Sequence, residues 1–310
     1  MAAEKVSLVT TFLNEQASIG EFLESVKAQT RPPDEVVLVD GGSRDRTVET
    51  VRQAVGDDPR FRLIEKPGNR SVGRNAGIEA ATGAIIAVTD AGCRLDPHWL
   101  EYIVAPLEAD ASVEVASGYY APDARTLLEQ AVAAATVRTA REEDPRTFLP
   151  SSRSVAFRKA TWRKAGGYPE HQKYNEDTPF DLRMKAAGAR FVFEPRALVH
   201  WRQHPSLWRV FRQFYGYAVG DAQERIWFPH YTKAYAVFGV LVALVIAGIF
   251  AHRVWWGVLG VTALYWLRYT LRSKRRGFGW LASLLSPLVM ATVDKAHVLG
   301  YAAGRLRRSR

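Results

Sequence analysis

Cysteine is almost absent from this 310-residue chain: Cys93 stands alone, so no internal disulfide can form and nothing points to an oxidising compartment. A reducing, cytoplasmic setting is the expectation. The start lacks an apolar stretch of signal-peptide length, since Met1-Ala2-Ala3-Glu4-Lys5 runs directly into the strand-like Val6-Ser7-Leu8-Val9-Thr10. Export of the N-terminal region by that route is not expected. Low-complexity segments and internal repeats are missing too, which excludes solenoid and disordered classes. Acids are nearly missing from the last quarter: residues 233–310 hold 12 Lys and Arg but one acid, Asp294. The formal net charge of +10 is therefore confined there, because residues 1–232 carry 30 Lys and Arg against 31 Asp and Glu. A basic excess set among apolar segments fixes topology and meets anionic headgroups, so a membrane partner is expected and nucleic acid is not.

What is present begins as an alternation of short β-rich runs and helical patterns. Strands are expected at Val6 to Thr11, Glu35 to Val39, Phe61 to Ile64 and Ala84 to Thr89, with helices around 18–28, 43–55 and 71–81 between them. That order predicts parallel strands joined by crossovers, with a ligand crevice beyond their carboxyl ends, where Thr11, Asp40 and Asp90 converge. A further strand is expected at Val113 to Tyr120, an Ala-rich helix near Ala124 to Arg141, and a loop through Asp144 to Ser152. A helix over Tyr174 to Gly188 then leads to a short strand, Phe191 to Phe193, and a loop carrying His200.

After Lys233 the character changes. Ala234 to Ala251 is 18 residues without a charge, about the minimum that spans a bilayer core. Val254 to Leu267, flanked by Trp255, Trp256, Tyr265 and Trp266, reads as a second span, and the basic loop Arg268 to Gly279 belongs on the cytoplasmic side. The stretch Leu281 to Gly304, interrupted by Pro287, Asp294, Lys295 and His297, reads as an interfacial or re-entrant helix rather than a third span. The expected division is thus a catalytic domain with its connector at 1–232 and a membrane anchor at 233–310, multi-pass in the inner membrane with the catalytic domain cytoplasmic.

The chemistry-bearing motifs are Thr11-Phe12-Leu13-Asn14-Glu15, Val39-Asp40-Gly41-Gly42-Ser43, Arg70 with Arg74-Asn75-Ala76-Gly77, Asp90-Ala91-Gly92, Gly166-Gly167-Tyr168 and Glu176-Asp177. Taken singly, each has a plainer reading: a glycine turn with a helix cap, a solvated helix-terminus charge, a strand-end turn, or an acidic pair favoured by a helix dipole. Taken together over residues 5 to 220, they resemble the inverting family 2 glycosyltransferases of the GT-A fold, a Rossmann-like α/β domain with a mostly parallel sheet, here followed by C-terminal membrane helices.

The resemblance implies several roles. Thr11, Glu15 and Asp40 would hold the base and ribose of a nucleotide-sugar, while Arg70 and Arg74 would lie near its diphosphate. Asp90 would stand for the first acid of a D-x-D metal motif that binds Mn²⁺ or Mg²⁺ and donor phosphates. Gly92 replaces the second acid, so one carboxylate remains. His200 would be a metal or diphosphate contact, or else a packed structural histidine. Asp177 would be the general base, with Glu176 tuning or orienting it. The acceptor implied is a lipid or lipid-linked glycan at the cytoplasmic face, since a soluble acceptor needs no anchored enzyme. A different class, a membrane-anchored nucleotide-sugar-binding protein without turnover, is suggested by Gly92. A nicotinamide oxidoreductase is disfavoured because Gly41-Gly42-Ser43 is not a G-x-G-x-x-G turn.

Overall fold

A computed structural model of the chain describes residues 4–307. It divides into two compact units, one of residues 1–121 and 140–202, the other of residues 122–139 and 203–310.

The first unit is built on an eight-stranded sheet. Its strands are β1 (Val6–Phe12), β2 (Glu35–Asp40), β3 (Phe61–Glu65), β4 (Ile85–Val88), β5 (Cys93–Leu95), β6 (Val115–Asp123), β7 (Val155–Arg158) and β8 (Phe191–Arg202). Their spatial order is β3-β2-β1-β4-β7-β6-β8-β5. The first four are mutually parallel, as the alternation predicted, whereas β7 runs antiparallel to both β4 and β6, and β5 antiparallel to β8. Helices α1 (Ile19–Lys27), α2 (Thr47–Val55), α3 (Arg70–Ala80), α4 (Trp99–Ala109), α6 (Lys159–Lys164) and α7 (Asp177–Ala186) complete this unit.

Both faces of β1, β2 and β4 are buried, so these strands read as largely apolar runs, whereas the edge strand β3 is partly exposed. Leu8, Val36, Leu38, Ile85 and Ala87 enter one core with α1 and α4, including Phe22, Leu23, Trp99 and Ile103. The alternate residues Val9, Val37, Val39, Ile86 and Val88 enter a second with Ile78, Trp162, Tyr168, Phe180 and Met184. Helix α3 lies close on the second face: a Cβ at Gly77 would come within 2.6 Å of Val9 Cγ1 and 2.9 Å of Val39 Cγ2.

The second unit contains α5 (Leu127–Thr136), α8 (Leu207–Gln223), α9 (Pro229–Phe250), α10 (Val254–Arg275) and α11 (Trp280–Arg307). Its core joins Ala131, Val132 and Ala135 of α5 to Val210 of α8 and Val289 and Val293 of α11. Helix α8 therefore packs with the C-terminal helices, and the compact division falls at 202/203 and takes in α5, where the sequence suggested one boundary at 232/233. Among the described residues one helix, α9, is long and apolar enough to cross a membrane. The expected second span differs: α10 continues from its apolar half through Arg268, Arg272, Lys274 and Arg275, and these cations dilute its apolar character. Helix α11 is continuous for 28 residues through Pro287, and its Asp294 accepts a hydrogen bond from the Tyr265 hydroxyl of α10 at 2.7 Å.

Candidate active site

The loops after β1 and β2 interlock. Asn14 N–H donates to Ser43 Oγ (2.9 Å) and Arg44 N–H to Asn14 Oδ1 (2.9 Å), while Glu15 N–H donates to Thr47 Oγ1 (2.8 Å). These bonds hold the two strand ends side by side, with Thr11 in register with Val39 and Phe12 with Asp40. The Glu15 carboxylate accepts from Ser18 Oγ at 2.6 Å at the start of α1. The buried Asp40 carboxylate accepts from the backbone N–H groups of Gly42 and Ser43, each at 3.1 Å, and so fixes its own turn at the end of β2.

The centre of the site is Arg74, only 1% exposed although it is an arginine. It lies within α3, away from either helix end, so it is not a solvated terminal charge. Its Nη1 donates to Glu176 Oε1 (2.6 Å) and Asp177 Oδ1 (3.2 Å), and its Nη2 to Asp90 Oδ1 (2.7 Å). The guanidinium also lies 5.2 Å from the centroid of the Tyr168 ring. Burying one cation is expensive unless its charge and donors are matched, and the three carboxylates supply that match. In this way Asp90, just after β4, and Asp177, at the start of α7, 87 positions apart in sequence, are tied through one side chain.

Asp177 occupies the first turn of α7, with Glu176 at its N-cap. Besides Arg74 it accepts from Ser152 Oγ (2.6 Å) and Ser152 N–H (3.1 Å), and Ser152 Oγ also bonds the Tyr168 hydroxyl at 2.9 Å. Its side chain keeps 23% of its exposure, so an incoming hydroxyl can reach it, whereas Glu176 is buried against Arg74 and cannot be reached. One turn on, Asp181 is buried with Oδ2 lacking a hydrogen-bond partner. Burial, and then the neighbouring Asp177 charge, push its carboxyl well above the usual range, against smaller opposing effects of Lys185 and Arg74.

The Gly166-Gly167-Tyr168 turn is held by Asn75. Its Nδ2 donates to the Tyr168 carbonyl (2.8 Å), and its Oδ1 accepts from Tyr168 N–H (2.8 Å) and from Trp162 Nε1 (3.2 Å). Gly167 has φ +71° and a Cβ there would meet Asn75 Oδ1 at 2.9 Å, so both the backbone and the clamp require glycine.

Asp90 resists its burial through guanidinium groups: Arg74, Arg153 and Arg70 hold its carboxyl down at about 2. Arg153 Nε stands 4.0 Å from Asp90 Oδ2, and exposed Arg70 opens α3 nearby. Gly92 is exposed and contributes no ligand. His200 is in a strand, not a loop: β8 extends to Arg202 and sets His200 opposite Arg94 of β5. Among the described residues no three His, Cys, Asp or Glu side chains gather to hold a metal ion. The donor set at Asp90 is one carboxylate already bonded to Arg74, which is too little to retain Mn²⁺ or Mg²⁺ by protein ligands alone.

The motifs thus bring together Arg74, Asp90, Glu176 and Asp177, with Arg70 close by. Thr11, Glu15 and Asp40 sit at the adjoining strand ends, and His200 lies on the β8 side of the sheet. Ser152, Arg153 and Asp181 join the site without any sequence expectation. The Ser151-Ser152-Arg153-Ser154 run preceding β7 was the one visible trace, because polar residues next to an apolar strand must find partners inside.

The family model described as "Glycosyl transferase family 2" matches residues 7–194. Glycosyltransferase AglE of Haloferax volcanii is 26% identical over 229 residues, covering 72% of this chain and 74% of that protein. The dodecaprenyl-phosphate galacturonate synthase of Rhizobium johnstonii is 34% identical over 110 residues, 34% of this chain and 32% of that one. Among solved structures, mannosyltransferase PcManGT from Pyrobaculum calidifontis, in complex with GDP-Man and Mn²⁺, superposes with a TM-score of 0.62 at 20% identity, over 99% of this chain and 88% of that one.

Proposed function

Because the chain belongs to glycosyl transferase family 2, we propose that it transfers a sugar, with inversion, from a nucleotide-sugar to a lipid or lipid-linked glycan at the cytoplasmic face of a membrane. The observation carrying this reading is the reachable Asp177 carboxylate, oriented by Ser152 and Arg74 within the cluster that also contains Asp90. Asp177 takes the proton from the acceptor hydroxyl as its oxygen attacks the anomeric carbon. The bond from that carbon to the diphosphate oxygen breaks on the opposite face, and the nucleoside diphosphate leaves with the electron pair. One base suffices for such a displacement, and Glu176 serves it by fixing Arg74.

Thr11, Glu15 and Asp40, at the β1 and β2 ends, are the residues proposed for the nucleoside, and Arg70, Arg74 and Asp90 for the diphosphate side. A divalent ion would enter as the complex with the donor's diphosphate, with Asp90 as its carboxylate contact and His200 a further candidate ligand. Its chemistry there would be neutralisation of the leaving phosphate charge. The lipid acceptor is supported by α9 and by relatives whose names specify lipid phosphates, among them the dodecaprenyl-phosphate galacturonate synthase. The basic run from Arg268 to Arg276 supports the cytoplasmic face.

The test uses membranes containing the full chain or Asp177→Asn, given a panel of radiolabelled nucleotide-sugars with and without Mn²⁺ or Mg²⁺. The expected result is a labelled lipid-phase product from wild type that falls roughly 10²- to 10⁴-fold in the variant, the range for loss of a general base. Equal counts from both proteins would remove Asp177 as the base and leave a nucleotide-sugar binder without turnover.

A further inference from the structure

Tyr168 is buried beside the site, and the chemistry proposed above does not use its hydroxyl. The side chain is fixed from several directions. Asn75 clamps the Tyr168 backbone at both its N–H and its carbonyl, each at 2.8 Å. The ring centroid packs 4.1 Å from that of Phe180, and the Arg74 guanidinium lies 5.2 Å from it. Held in this way, the phenol brings its oxygen to 2.9 Å from Ser152 Oγ, and Ser152 is buried as well. Ser152 Oγ in turn stands 2.6 Å from Asp177 Oδ1.

The direction of this chain of bonds follows from its members. As a base Asp177 is an ionised carboxylate, which can only accept, and a serine hydroxyl has one proton to give. That proton points to Asp177 Oδ1, so the bond between the two hydroxyls is donated by Tyr168. Burial pushes the Tyr168 hydroxyl well above its ordinary range, so it keeps the proton it donates. Asp177 Oδ1 also accepts from Arg74 Nη1 at 3.2 Å, which fills both of its lone-pair directions. Among the described residues Oδ2 accepts from Ser152 N–H alone, at 3.1 Å, and keeps one direction open.

We infer that Tyr168 is a positioning residue for the base: acting through Ser152, its hydroxyl holds Asp177 Oδ1 and leaves Oδ2 to take the proton of the acceptor hydroxyl. The inference rests on the reading of Asp177 as the base and extends it to the groups behind it. In the step itself the acceptor O–H bond breaks, its proton goes to Oδ2, and Tyr168 and Ser152 keep theirs. Oδ1 accepts the same two bonds before and after, so the relay needs no rearrangement as charge leaves the carboxylate. Phenylalanine at position 168 would fill the same space and pack on Phe180, but it would leave the buried Ser152 oxygen without its donor and weaken the bond that Ser152 makes.

The experiment measures initial rates of sugar transfer into the lipid phase of membranes containing equal amounts of the full chain. The probe is whichever radiolabelled UDP-, GDP-, ADP- or dTDP-sugar labels the wild-type membranes. The variants are Tyr168→Phe, Ser152→Ala, the two combined, and Asp177→Asn as reference. Tyr168→Phe is expected to lower kcat about 3- to 10-fold and Ser152→Ala about 10- to 100-fold, the ranges for a hydrogen bond to a neutral and to a charged partner, with the donor KM unchanged within about twofold. Because Tyr168 acts through Ser152, the combined variant stays within about twofold of Ser152→Ala alone, where two independent packing losses would multiply. Circular dichroism melts of the solubilised chains check that each variant is folded. Should Ser152→Ala not fold, Tyr168→Phe in the Asp177→Asn background decides: no further loss is expected, and a further loss overturns the role. Tyr168→Phe with full kcat, a multiplied loss in the combined variant, or a loss confined to KM overturns it as well. Wild type that labels no lipid with any donor, or Asp177→Asn that labels as wild type does, overturns the sugar-transfer or base reading itself, and this inference with it.

Discussion

Arg74 and Asp181 show two ways a buried charge is carried beside one site. The arginine is matched by three carboxylates, whereas Asp181 has burial and a like charge against it, so its carboxyl is held well above the usual range. An acid with a raised folded value contributes stability fully below its unfolded value, roughly 4. That contribution is lost as pH rises through the folded value. Asp181→Asn, neutral at every pH and nearly isosteric, is therefore expected to melt higher than wild type at pH 8, with the gap narrowing towards pH 4. Thermal melts at the two pH values check this, and a gap that is constant or widens towards pH 4 would contradict the burial argument. Asp90 has the opposite sign: its value, held at about 2, adds stability above pH ~4 that is lost as pH falls towards 2. The motifs made Arg74, Asp90 and Asp177 visible as site candidates, yet nothing in the sequence said that Arg74 would be buried and bond both acids. Its partners come from the end of β4 and the start of α7, and periodicity holds no information about such long-range pairs.

At the scale of elements, the parallel strands and their crossovers were legible because β1, β2 and β4 are buried on both faces and mostly apolar. The later elements were less so. The strands β5 and β7 and the helix α6 are three, four and six residues long, too short for a period to establish itself. β8 was expected to stop at Phe193 and runs to Arg202, because Pro195 and Arg196 resemble a loop while the neighbouring strands keep pairing. α5 is shorter than the Ala-rich pattern suggested, closing at Thr136 after a capping box of Thr126 and Glu129. Within α3, Gly77 sets two effects against each other. Gly77→Ala gains helix propensity of about 1 kcal/mol. It also forces a methyl against the β-branched Val9 and Val39, and overpacking of that kind costs about 1–3 kcal/mol. The overlap is with stiff side chains on a central sheet, so the loss is expected to win. Chemical denaturation should show a lower midpoint for Gly77→Ala, and an increase would mean that α3 can lift from the sheet freely.

At the scale of the molecule, the excess positive charge and the apolar runs both fall in residues 203–310, which supply most of the second compact unit. If the proposed membrane setting holds, α9 is the anchoring element, and its apolar side chains, such as Phe238, Val242, Ile246 and Ile249, are exposed. Val242→Arg places a charge near the middle of that helix, where insertion costs about 2.5–3.5 kcal/mol. Carbonate extraction of membranes is expected to release a larger share of this variant than of wild type. Unchanged retention would move the anchoring to other helices.

Composition and pattern alone determined the class: an α/β domain with parallel strands, an apolar C-terminal helix, and acids at strand and helix ends; the nucleotide-sugar entered only with the resemblance of the motifs. They could do so because burial periodicity and strand-end position are local properties, written in neighbouring residues. Only the tertiary structure decided that Arg74 is a buried hub, that Ser152 orients Asp177, that Arg153 comes within 4.0 Å of Asp90, and that α8 and α5 belong with the C-terminal helices. Each of these is a contact between segments far apart in sequence, and the identity of the partner is set by how the sheet closes and which helices pack, which no local window of residues contains.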